Sequence, residues 1–203
     1  MSRFSLFLSF NGIIALLLLA IACQSEEYTP KPKAYPRVNL PAQHGYRPYN
    51  PTECPFSFEY STYAEIIKDT AALGKKAPSH PCWMSLKYPT LNATIYLSYK
   101  PISQENTLPK LVEDAHTLNS KHVIKADYIE DSLITTPNGI SGLWYDVGGN
   151  AASNTQFFVA DSVKHFLWAS LYFYNTPNED SIAPVANFIR QDMKHLLETF
   201  KWK

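Results

Sequence analysis

From Phe56 onward the pattern of apolar and polar positions becomes that of a folded domain. Phe56, Phe58 and Tyr60 alternate with Ser57 and Glu59, the two-residue period of a half-buried strand. Tyr63, Ile66 and Ile67 then predict a short helical turn, and 68–81, with Pro78 and Pro81, a loop. Trp83–Tyr88 and Thr94–Lys100 are expected to form two strands joined across PTLN. In the second, Ile95, Leu97 and Tyr99 share one face, Tyr96 and Ser98 the other. Thr107 caps a predicted helix with Pro109 in its first turn and Leu108, Leu111, Val112, Ala115 and Leu118 as its apolar stripe. Strands follow at about 123–136, 140–147, 155–162 and 165–174. Pro137-Asn138-Gly139, Gly148-Gly149-Asn150 and Asp161-Ser162 supply turn chemistry between them. Ser181 is the expected cap of a last helix, with Val185, Phe188, Ile189, Met193, Leu196 and Phe200 facing the core.

Strands joined by short turns pair antiparallel, and two amphipathic helices must cover a sheet face. The expected class is therefore α+β: an antiparallel sheet covered by two amphipathic helices. In element order it resembles the PsbP/Mog1-like layered sandwich. Fold likeness transfers no chemistry.

The chain opens differently. Arg3 precedes an apolar stretch ending in ten uninterrupted apolar residues, Ile13 to Ala22. A spanning helix needs about 20 predominantly apolar residues, and Ser5, Ser9, Asn11 and Gly12 interrupt the first half of this one. Small residues close the run directly before Cys23, where a signal peptidase cuts. A Cys at that place resembles a bacterial lipobox, whose thiol receives diacylglycerol. The expected segments are a lipoprotein signal peptide at 1–22, a lipidated Pro-rich tether at 23–53 and a single α+β domain at 54–203. Two or three acyl chains hold a protein on a membrane far more firmly than the single chain that binds reversibly.

Seven of the fifteen prolines lie between Pro30 and Pro55. At that density an extended, polyproline-like spacer without helix or strand is expected. Residues 24–53 could reach about 90 Å at roughly 3.1 Å each. Lys31, Lys33 and Arg37, interleaved with Tyr28 and Tyr35, form a basic strip suited to headgroups, a wall polymer or a partner groove, or to plain solvation.

Charge excludes one class of partner. Eighteen Lys and Arg balance eighteen Asp and Glu, whereas phosphate binding needs an excess of positive charge, so no nucleic acid is expected. Three Cys are too few for a disulfide-dense scaffold. Once Cys23 is acylated, Cys54 and Cys82 remain, and in an oxidising compartment an even pair reads as a disulfide. A metal site from Cys54, His80 and Cys82 is the alternative, with only three ligands and no paired zinc spacing. A thiol with His80 as its base is another.

Other candidates are diffuse. His116 and His122 do not share a helix face, and His44, His165 and His195 have no partner that the sequence identifies. The pairs Glu113-Asp114, Glu130-Asp131 and Glu179-Asp180 diverge, while acid–base work needs convergence. Asp127, Glu130 and Asp131 could meet along a bulged strand and take a cation. No GxSxG, HExxH, phosphate-binding glycine loop or CxxC occurs. Neither a catalytic residue, a metal nor a cofactor is predicted. Thirteen Tyr, eleven Phe and four Trp leave room for a small-ligand or glycan-binding module, possibly hydrolytic, on Trp144, Tyr145, Trp168, Tyr172 and Tyr174. The same rings also read as core and cross-strand pairs.

Several long segments carry a resemblance: YTPKPKAYPRVNLP, CPFSFEYSTYAEI, CWMSLKYPTLNATIYLSYKPI, KHVIKADYIED and GGNAASNTQFFVADSVKHFLWASLYFYNTPNEDSIAPV. Along them the chain resembles the gliding-motility lipoprotein GldD family. It departs at Ser61, where Pro is expected after FEY, and at Ala20 of the lipobox, where Leu is usual. The resemblance implies a non-enzymatic, lipid-anchored envelope protein of the gliding machinery, which is linked to type IX secretion. It implies other gliding-machinery envelope proteins as partners, the outer membrane and its periplasmic face as the location, and no small-molecule substrate. Carried over by position, Cys23 is the lipid site, and Cys54 and Cys82 match the family's CP and CW cysteines.

Overall fold

A computed structural model describes residues 37–68, 80–120, 125–176 and 178–203. The signal peptide, Cys23 and the basic strip up to Tyr35 lie outside the described residues, as do most of the 68–81 loop and His122.

Ten strands, two α-helices and a 3-10 turn (Pro89–Leu91) occur among the described residues: β1 (Tyr46–Tyr49), β2 (Phe56–Ser61), β3 (Glu65–Lys68), β4 (Met84–Tyr88), β5 (Ala93–Pro101), α1 (Leu108–Ser120), β6 (Ala126–Thr135), β7 (Ser141–Gly149), β8 (Thr155–Ala160), β9 (His165–Phe173), α2 (Glu179–Thr199) and β10 (Lys201–Trp202). Seven strands form one sheet in the order β3-β4-β5-β9-β8-β7-β6, and β1-β2-β10 form a second. Every pairing is antiparallel. The expected class, an antiparallel α+β architecture with two helices, is the one observed.

The centre of the large sheet is the β5–β9 pair, in register from Ala93 opposite Phe173 to Pro101 opposite His165. Alternation along these strands sorts two cores. Ile95 and Leu97, Phe157 and Val159, and Leu167, Ala169 and Leu171 face one way. There they meet Val185, Ile189, Met193 and Leu196 of α2 and Phe56 and Phe58 of β2. On the opposite face Tyr145, Phe158, Ala160, Phe166 and Trp168 meet Leu111 and Ala115 of α1. The layers are thus the small sheet with α2, the seven-stranded sheet, and α1.

Four local expectations give way. The Pro-rich stretch does contain a strand: β1 pairs with β2 from Tyr46 opposite Ser61 to Tyr49 opposite Phe58. Pro48 is tolerated because β1 is an edge, paired on one side only, where a missing N–H need not break a ladder. The helical turn predicted around Ile66 and Ile67 is instead β3, laid on β4 with Glu65 opposite Lys87. One isolated turn cannot meet the cost of helix nucleation, whereas an open strand edge beside two β-branched residues rewards extension. The last helix starts earlier than expected, because the side chain of Asn178, not Ser181, caps it by accepting the Ser181 N–H at 3.0 Å. Leu118, placed on the buried stripe of α1 by periodicity, is 46% exposed; Leu111, Ala115 and Asn119 form the buried line.

Candidate functional site

The described unit is fastened near its amino-terminal side at two places. Cys54 and Cys82, both buried, are joined as a disulfide with their Cα atoms 5.6 Å apart. With both sulfurs in that bridge neither presents a thiolate, so the metal and nucleophile readings of Cys54, His80 and Cys82 fail. His80 Nδ1 instead accepts the backbone N–H of Cys82 at 3.2 Å.

The second fastening is a carboxylate that sequence reasoning passed over. Asp192 lies within the apolar stripe of α2 and is only 2% exposed. Its Oδ1 is 2.6 Å from His44 Nδ1, and its Oδ2 accepts the Tyr88 hydroxyl at 3.0 Å. His44 also stacks on Phe188 at 4.2 Å between centroids. Two residues on, Tyr46 stacks on His195 at 3.6 Å, and His195 Nε2 is 2.8 Å from Glu59 Oε2. Burial first, then the Asp192 carboxylate, pushes the Tyr46 phenol up to about 12, and the same two causes hold Tyr88 well above the ordinary range. A sequence signal existed: Asp192 falls between Ile189 and Met193 on the core-facing line, where a carboxylate needs partners.

The other candidate groups lie apart from these fastenings. His165 Nδ1 is 2.8 Å from the Tyr99 hydroxyl, and His116 Nδ1 is 3.2 Å from that of Tyr145. Asp114 lies 3.9 Å from Lys100. Glu179 accepts the Gly149 N–H at 2.9 Å. Glu130 and Asp131 alternate along β6, opposite Asp146 and Tyr145 respectively, so they point to opposite faces. Among the described residues no group of three His, Cys, Asp or Glu side chains could hold a metal ion. The cation reading of Asp127, Glu130 and Asp131 therefore has no geometric support.

The five aromatic candidates divide. Trp144 and Tyr145, adjacent on β7, are buried in opposite cores, Trp144 stacked on Phe157 at 5.8 Å and Tyr145 under α1. Burial, then Asp131, raises the Tyr145 phenol to about 12. Trp168, Tyr172 and Tyr174 meet instead, lining a trough of about 380 Å³ beside α1 with Tyr96, Ser170 and the exposed Leu118. The hydroxyls of Tyr96 and Tyr174 approach to 2.5 Å across it. Burial raises the Tyr172 phenol above its ordinary value. A second recess of about 230 Å³, between Trp83, Lys100, Asp114 and Trp168, continues along the same flank of α1. This half-covered outer face offers aromatic area and hydroxyls, with the Lys100–Asp114 pair at the second recess.

The two edges of the seven-stranded sheet are unequal. β3 has four residues. β6 has ten, of which Ile129, Ile134 and Ala126 alone are partly covered, and its Leu133 is 85% exposed. None of the described helices is long and apolar enough to cross a membrane.

A family model for the gliding motility lipoprotein GldD matches residues 25–202. Among solved structures, the chain is similar to the solution structure of cyanobacterial PsbP (CyanoP) from Synechocystis sp. PCC 6803, at 14% identity and a TM-score of 0.45, over 78% of this chain and 92% of that one. No curated protein matches.

Proposed function

Because the chain belongs to the gliding motility lipoprotein GldD family, we propose that it is a non-enzymatic component of the gliding machinery that works by protein–protein contact. Cys23 carries the lipid, the outer membrane receives it, and the α+β unit faces the periplasm, where it meets other envelope proteins of the machinery linked to type IX secretion. The family match over 25–202 is the observation that carries this reading. The pairing of Asp192, Glu59 and Glu179 with neighbours in the fold supports it, because groups committed to structural bonds are poorly placed to attack a substrate.

The test is Cys23→Ser in gliding cells. The expected result is loss of incorporation of an alkyne-tagged fatty acid, release of the protein from the membrane fraction and failure of colonies to spread. Normal acylation or normal spreading of that variant overturns the reading. One observation favours a second role: Trp168, Tyr172 and Tyr174 line an open trough. A small ligand or glycan would stack there. Saturable quenching of tryptophan fluorescence by envelope oligosaccharides, abolished in Trp168→Phe, would support that role.

A further inference from the structure

β6 ends the seven-stranded sheet and pairs on one side only, with β7. In an antiparallel ladder alternate residues turn their N–H and C=O groups away from the partner, so the far side of β6 presents a row of unpaired backbone donors and acceptors along about 30 Å. Folded proteins usually blunt such an edge by keeping it short, by covering it, or with charged side chains and bulges that admit only a complementary strand. The opposite edge of this sheet follows that rule, since β3 has four residues and its last, Lys68, pairs with Glu53. β6 is long, and among the described residues no strand covers it.

A register shift between Ala126 and Tyr128 marks a bulge at the start of β6, and regular pairing then runs from Tyr128 to Thr135. The Tyr128 ring lies so close over Gly148 that a Cβ there would stand 2.0 Å from it. That contact fixes the bulged end to β7. Tyr128 is still 50% exposed, and Leu133 is the most exposed large apolar side chain among the described residues.

Charge names the class of occupant. Asp127, Glu130 and Asp131 are exposed, no basic residue lies between Ala126 and Thr135, and no ion pair engages the three carboxylates among the described residues. Two copies paired edge to edge would set these carboxylates against their own likes, which disfavours self-association. We propose that β6 is a docking edge that takes an extended segment of another protein, rich in Lys or Arg, as an eighth strand of the sheet. Backbone bonds supply the affinity, Leu133 an apolar contact, and the acidic side chains the choice of partner. The inference rests on the reading of this chain as an interaction module and adds the surface and the chemistry of what binds it.

The test uses the full-length lipidated protein in gliding cells, with a photo-crosslinking amino acid at Ser132 or Leu133. Crosslinks are expected in one extended segment of a different protein that carries alternating basic residues. The double variant Glu130→Lys, Asp131→Lys, crosslinker retained, is expected to cut the yield about tenfold and stop spreading at unchanged abundance and melting temperature. As a second probe, Pro at Ser132 or at Leu133 removes an outward N–H in one case and a ladder N–H in the other; the variant that melts like the parent is expected to lose the crosslink. Crosslinks confined to a second copy of this chain, to scattered sites or to nothing overturn the proposal. So does normal spreading of the charge-reversed strain. If that strain spreads while cells lacking the protein do not, the edge is discarded and the anchored module stands; if both spread, the proposed function falls with it.

Discussion

The two faces of the seven-stranded sheet are built from the same strands and are finished in different ways. Along β9, Leu167, Ala169 and Leu171 point under α2 and the small sheet into a closed core, while Phe166, Trp168, Ser170 and Tyr172 point toward α1. α1 spans only part of that side. Phe166 and Trp168 pack beneath Leu111 and Ala115, but Tyr172 and Tyr174 reach past the helix into an open trough. Adjacent residues of one strand therefore serve separate ends, the even side offering surface and the odd side cohesion. A substitution can disturb one without the other.

That division can be broken by measurement. Phe157, fully buried and stacked on Trp144, is at the centre of the closed face. Phe157→Ala is expected to cost about 4 kcal/mol in urea unfolding, and a loss under about 1 kcal/mol would show that the α2 face is less tightly packed than its burial implies. Replacing both Cys54 and Cys82 by Ser is expected to cost about 3 kcal/mol, since the bridge closes a loop across a separation of 28 residues. An unchanged midpoint after that double replacement would remove the bridge from the stabilising side of the ledger. His44→Ala strips Asp192 of a charge-assisted partner while Tyr88 remains, and about 2 kcal/mol should be lost. On the open face Leu118→Ser is expected to change stability by under about 0.5 kcal/mol. A cost near that of Phe157→Ala would erase the distinction between the faces.

The smallest effect concerns protons. Tyr46 on the α2 side and Tyr145 under α1 both have phenols pushed up to about 12 by burial. Tyr145 is almost fully buried under α1, whereas Tyr46 is only half-buried and owes part of its rise to the Asp192 carboxylate. A raised phenol contributes stability in full below the ordinary value near 10, and that contribution is lost as pH climbs through the folded value. Absorbance at 295 nm should show several late-titrating phenols, Tyr88 among them, one of which is absent in Tyr46→Phe and another in Tyr145→Phe. If Tyr145 titrates near 10, α1 does not seal its half of the outer face.

Much of this architecture is readable from local pattern. Strands β2 and β5 announce themselves by two-residue alternation and α2 by the stripe from Val185 to Leu196, because one buried face imposes one period, while β6 to β9 are marked off by the turn residues between them. What local pattern misses depends on partners far along the chain. β1 forms in a proline-rich stretch only because β2 lies beside it, and β3 because β4 presents an edge. Trp144 and Tyr145 read either as ligand-facing rings or as core, and because β7 is an interior strand with cover on both sides the core reading holds for both. Tyr172 and Tyr174 read the same way and are placed otherwise, since they follow the stretch of β9 that α1 covers. The open status of β6 is set by β9 returning to β5 and leaving the meander's first strand outermost, a long-range choice that no window of residues contains.

The bridge from Cys54 to Cys82 also changes how the molecule would carry a pull. Tension entering at Arg37 and travelling along the backbone meets His44 and β1 first, a side-chain hydrogen bond to Asp192 and a four-residue edge strand that can peel away. At Cys54 the load then crosses the sulfur bond and arrives two residues before β4, bypassing β2 and β3 altogether. From there it spreads sideways into β5 and the long β5–β9 ladder. A tug on the amino-terminal side is thus delivered to the broadest part of the fold, with only a short, recoverable length of chain released on the way.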